Sequence, residues 1–150
     1  MLLFRKDLQS ITGPITEWTD NVLTVTSGLD LNFWYQFEGA IYFYSQNDPE
    51  LIGLKMNVPG ANEGGMYVQH RPIAGTDLGL VSSRTYPGDF SGVPIAARDY
   101  ADNAVYLRGF FKTPASGSAQ FSISYRNYAM NPDWSVDFFP GSYINITKVL

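Results

Sequence analysis

Residues Leu31 to Gln46 read LNFWYQFEGAIYFYSQ, with seven aromatic rings in the twelve positions from Phe33 to Tyr44. Leu31, Phe33, Tyr35 and Phe37 recur at every second place, with the polar Asn32, Gln36 and Glu38 between them. A period of two marks a half-buried strand. Trp34 breaks the pattern by standing among the polar residues. Glu38-Gly39-Ala40 follows, and its glycine is free to take a positive φ. The apolar residues then return over Ile41–Gln46, which predicts a hairpin. Phe33, Tyr35 and Phe37 belong on the core side, joined by either Ile41 with Phe43 or Tyr42 with Tyr44.

The same alternation appears further along the chain. Val105, Leu107 and Phe111 share one face, and Tyr106, Arg108, Phe110 and Lys112 share the other. After the loop TPASGSA, the apolar Phe121, Ile123 and Tyr125 alternate with Ser122, Ser124 and Arg126, which predicts a second hairpin. Further strands are expected over 11–18, 22–27, 51–58, 66–71, 78–82, 94–98, 134–139 and 143–149. Turn signals such as NDPE, YPGDFSG, MNPD and FPGS separate them. The best helical candidate, AARDYADNAV, has room for one or two turns. The expected fold is therefore all-β: an antiparallel β-sandwich, jelly-roll-like, with long glycine-rich loops. It forms one domain over 1–150, with an N-terminal arm over 1–9. A loop-rich insertion is expected over 59–92, which is rich in glycine and holds three of the nine prolines.

Composition narrows the function classes. A chain of 150 residues buries roughly 70% of the surface its unfolded form exposes, enough for a core without staples. Only 16% of residues are charged and the net charge is −4. The ten basic residues are scattered, so the cationic footprint that nucleic acid requires is missing. There is no cysteine, which excludes disulfides, thiolate metal sites and a cysteine nucleophile. The start, MLLFRKDLQ, lacks the order of charge and apolar run that a secretory signal needs, so the expectation is a chain made and kept inside a cell, or released by a route other than a signal peptide. No apolar run is long enough for a membrane-spanning helix. The NIT at Asn145 is a glycosylation sequon that matters only on secretion.

Catalytic patterns are weak. His70 is the one histidine; it cannot build a multi-histidine metal site, and no nucleophile elbow accompanies it. Asp99 with Asp102, Asp133 with Asp137, and Asp48 with Glu50 are carboxylate pairs beside turn residues, where acids commonly solvate turns. Asp99, Asp102 and Asn103 are calcium candidates by ligand type alone. GANEGG at 60–65 has the glycines of a phosphate cradle without the Lys-Ser/Thr that completes one. The expectation is a protein that is not an enzyme and uses no cofactor.

The remaining signal is aromatic. Trp34, Tyr42, Tyr44, Tyr106, Phe110 and Trp134 are candidates for an interface or for stacking on a ligand, and Phe138 shares the outward pattern of Trp134. Outward aromatics on several strands, on a surface with few charges, favour a broad protein contact. Trp34 with Gln36 or Asn32 offers the alternative of stacking on a sugar ring.

The opening MLLFRKDLQSITG on a strand, the glycine-rich middle and the closing strand SYINITKVL give the chain a full-length resemblance to head decoration or cement proteins of tailed bacteriophages. That resemblance implies a virion protein made in the host cytoplasm. It also implies a homo-oligomer, with a trimer favoured, that clamps the major capsid protein or another virion subunit, without nucleic acid or membrane as partner. A carbohydrate-binding module and a tail or fibre subunit are the alternative readings.

Overall fold

The computed structural model of the chain describes residues 1–4, 9–12, 15–45, 51–61, 63–72, 79–81, 93–96, 101–127 and 135–149. It is an antiparallel two-sheet β-sandwich, with strands and no helix among these residues. The strands are β1 (Leu2–Phe4), β2 (Gln9–Thr12), β3 (Ile15–Val25), β4 (Trp34–Ser45), β5 (Leu51–Asn57), β6 (Gly64–Pro72), β7 (Gly79–Val81), β8 (Val93–Ala96), β9 (Ala101–Lys112), β10 (Phe121–Asn127), β11 (Ser135–Phe138) and β12 (Tyr143–Lys148). Most match the expected segments. The residues read as 11–18 and 22–27 instead form the short β2 and the single long β3. Of the helical candidate, residue 96 and residues 101–105 are strand.

In the first sheet β12 and β11 lie end to end along one edge of β4, and β1 and β2 lie end to end beyond them. On the other side of β4 come β9, β6 and β7. The second sheet has the order β3-β10-β5-β8. When β1 with β2, and β11 with β12, are each counted as one interrupted strand and the β6–β7 pair is set aside, the two sheets read 1-8-3-6 and 2-7-4-5. The ends of the expected N-terminal arm are thus edge strands, and the expected insertion contributes β6 and β7.

Two expected hairpins do not form. Residues 34–45 make one unbroken strand, because Gly39 is not a turn glycine. It lies in the middle of β4, opposite Ile144 and Leu107. A Cβ there would run into the Tyr143 carbonyl and the Ile144 Cα, so glycine is what lets β12 approach. The inward register consequently runs straight through it, as Tyr35, Phe37, Ile41 and Phe43, all buried. The second failure is between β9 and β10, which belong to different sheets. Their connection is held against residues 30–33. Thr113 Oγ1 donates to the Asp30 carbonyl at 2.6 Å and accepts from the Phe33 N–H at 3.0 Å, while the Asn32 N–H donates to the Pro114 carbonyl at 2.9 Å. These bonds carry the chain across the core instead of back along β9.

Phe33 also departs from expectation. It precedes β4 and is 42% exposed, with the Lys148 ammonium 3.4 Å from its ring centroid. Phe138, expected to face outward, is fully buried, its ring edge-on to Tyr125 at 4.9 Å. An aromatic seam joins the sheets: Phe121 of β10 lies 4.7 Å from Phe111 and 5.0 Å from Phe37, ring centroid to centroid. Such pairs add to the apolar area they bury.

The β11–β12 interruption, Phe139–Ser142, places four residues opposite Ile41 and Tyr42 of β4. The Phe139 N–H donates to the Tyr42 carbonyl at 2.8 Å, and the buried Ser142 hydroxyl accepts from the Tyr42 N–H at 3.0 Å. A serine side chain thereby replaces a missing ladder acceptor for the Tyr42 N–H.

Candidate functional site on the outer face of the first sheet

Strand alternation sends the other set of β4 and β9 side chains away from the core. The register places them in rows across the sheet. Asn145 of β12, Glu38 of β4, Arg108 of β9 and Tyr67 of β6 form one row. Thr147, Gln36, Phe110 and Gly65 form the next. Neighbouring strands are about 4.8 Å apart, so each row spans roughly 14 Å, and rows two residues apart are separated by about 7 Å.

These rows border an open groove of about 550 Å³. Phe37 and Gly109, which face the core, contribute to its floor. Tyr67 and Phe110 stand beside it, 41% and 44% exposed. The Arg108 guanidinium carbon lies 5.8 Å from the Tyr67 ring centroid, a cation–π distance. Gly65 lies beside Phe110, and a Cβ there would meet its ring in ordinary contact at 3.6 Å. Glu38, Gln36, Asn145 and Thr147 make no side-chain hydrogen bond or ion pair with another described residue. The groove thus offers one carboxylate, one guanidinium, two amides and a hydroxyl beside two aromatic rings.

Five of the six aromatic candidates lie on this face. Phe110 and Tyr106 are exposed, with Phe110 in the groove and Tyr106 one row away. Trp34 is half-buried at the end of the face, its ring 5.9 Å from Phe110 and 6.0 Å from the Lys112 ammonium, which also pairs with Glu63 at 3.3 Å. Tyr42 and Tyr44 are half-buried on the rows beyond Tyr106. The Tyr42 phenol is pushed above its ordinary 10.0, first by burial and then by the neighbouring Tyr106 and Tyr143. Trp134 lies outside the described residues.

Of the calcium candidates, Asp99 lies outside the described residues, and Asn103 is fully buried on β9. Asp102 is a β9 position paired with Tyr44 of β4. Among the described residues no group of three or more His, Asp or Glu side chains gathers. His70 is a β6 position paired with Val105 and Gly79. Asp48, Glu50 and Asp133 lie outside the described residues.

Sequence reasoning missed Glu38, Tyr67, Asn145 and Thr147 as members of one site. Alternation gave the facing of Arg108 and Phe110, but not which strands flank β9.

A second feature lies at the end of this sheet where β4 begins and β12 ends. Met1, Leu31, Phe33 and Val149 are all exposed there, while the exposed Leu2 lies opposite Asn145, at the edge of the groove row. Backbone bonds bring their segments together: the Val149 N–H donates to the Trp34 carbonyl at 2.8 Å, and the Ile146 N–H to the Met1 carbonyl at 2.7 Å. Compared with known proteins, the chain matches no family model and no curated sequence.

Proposed function

We propose that the chain is a structural subunit of a virion, acting by adhesion, and that it self-associates, with a trimer favoured, while binding the major capsid protein or another virion subunit. The observation that carries this reading is the apolar end of the first sheet. Large side chains exposed next to one another are unusual on a monomer and mark contact surfaces. Phe33 and Leu31 are 42% and 38% exposed although the chain has ample buried apolar residues for its core. The strand order 1-8-3-6 over 2-7-4-5 supports a jelly roll, an architecture used by viral capsid domains and also by lectins. Fold alone does not select between them, so the weight falls on the apolar end. In a lattice, many modest contacts of this kind add through multivalency.

Light scattering after size exclusion tests it. The expected molar mass is near three times 16.7 kDa, and Phe33→Asp should return the protein to the monomer mass with an unchanged circular dichroism spectrum. A monomer for both proteins at high concentration counts against the assembly reading.

A further inference from the structure

We infer that the groove bordered by Glu38, Arg108, Tyr67 and Phe110 is a carbohydrate site that takes neutral hexose residues of a polysaccharide chain. A pyranose ring presents C–H groups on its faces and hydroxyls around its rim, and the groove presents the matching pair of surfaces. Phe110 and Tyr67 offer exposed rings for the C–H face. Glu38 and Asn145, side by side in one row, and Gln36 in the next, offer acceptors and donors for the hydroxyls.

Other ligand classes fit less well. An apolar peptide strand or hydrophobic partner would cover Glu38, Gln36, Asn145 and Thr147 without meeting their hydrogen bonds, and buried polar groups left unpaired oppose binding. A phosphate or uronate group would meet the Glu38 carboxylate in the same row as Arg108. A divalent cation would find one carboxylate where several oxygen ligands are needed. A neutral polyol uses both charged groups as hydrogen-bonding partners and brings no charge of its own. The groove is open, so a polymer can lie across it and be gripped at internal residues.

The inference rests on Glu38, Gln36, Asn145, Tyr67 and Phe110 and the assembly reading on Leu31 and Phe33, so each fails separately from the other. The test is affinity electrophoresis of the full chain through native gels containing glucan, mannan or galactan, with polygalacturonate as an anionic comparator. Retardation in at least one neutral gel is expected. Phe110→Ala and Glu38→Ala should each weaken that binding more than tenfold, while Phe33→Asp retains it. Both groove positions are exposed, so the variants keep the parent circular dichroism spectrum. No retardation in any neutral gel, retardation in the anionic gel alone, or undiminished retardation of both groove variants would overturn the inference.

Discussion

The two sheets share one interior but have very different outer faces. On the second sheet, the outward positions of the central strand β10 are Ser122 and Ser124, short side chains buried between β3 and β5. Thr24 and Asn57 sit opposite Ser122, and Lys55 opposite Ser124. On the first sheet, the outward positions of the central strand β9 include Tyr106, Arg108 and Phe110, all three exposed. Nothing in the core requires the aromatic face, since Tyr35, Phe37, Phe111 and Phe121 already fill the interior. Exposed rings that the fold does not use are therefore the best guide to function in this molecule.

That contrast can be attacked where its expected effects are largest. Phe121→Ala removes the ring that stacks on Phe111 and leans on Phe37 across the sheets, and should cost about 3–5 kcal/mol in urea unfolding. A much smaller loss would mean that the shared interior is less decisive than the contrast supposes. Ser124→Phe places on the serine face the kind of side chain that the aromatic face carries freely. Ser124 is fully buried, so overpacking should cost about 1–3 kcal/mol by the same measurement. Equal stability would show that the second face tolerates aromatics and merely lacks them.

Much of this contrast was legible in the sequence. The alternation over Val105–Lys112 assigned Tyr106 and Phe110 to the outer face, and the serines of β10 stood out in the same way. The partners of those strands were not legible. TPASGSA carries the turn chemistry of a hairpin loop, and the bonds that divert it, from Thr113 and Pro114 to residues 30–33, join positions remote in sequence. Gly39 misled for a related reason: a glycine needed for close approach of strands looks, in sequence, like a glycine needed for a turn. The groove was hidden by the same ignorance of register, because Glu38 and Asn145 are neighbours only after β12 has docked on β4.

Smaller effects sharpen the picture of the aromatic face itself. Tyr42 has its phenol held above 10.0 in the folded chain, so the neutral form is favoured on folding. That contribution is fully present below the unfolded value and is lost as pH rises through the folded one. Stability should therefore decline above about pH 10, and Tyr42→Phe should flatten the decline in thermal melts taken across that range. A decline of equal slope in the variant would place its origin elsewhere. The smallest expected change is in Phe110→Ala, whose stability should stay within about 0.5 kcal/mol of the parent, as for surface substitutions in general. A larger loss would mean that the Phe110 contact with Trp34 supports the fold.

The end-to-end placement of β12 and β11 along β4 also bears on synthesis. β4 is complete by residue 45, yet one of its edges is filled only by residues 135–148. While the chain is being made, that edge offers unpaired N–H and C=O groups to any other extended segment nearby. Pairing so distant in sequence closes slowly, and it cannot begin until β11 has left the ribosome. The first sheet is thus completed only once β11 and β12 are available, and a crowded polysome is where this protein is most exposed to mispairing with its own copies.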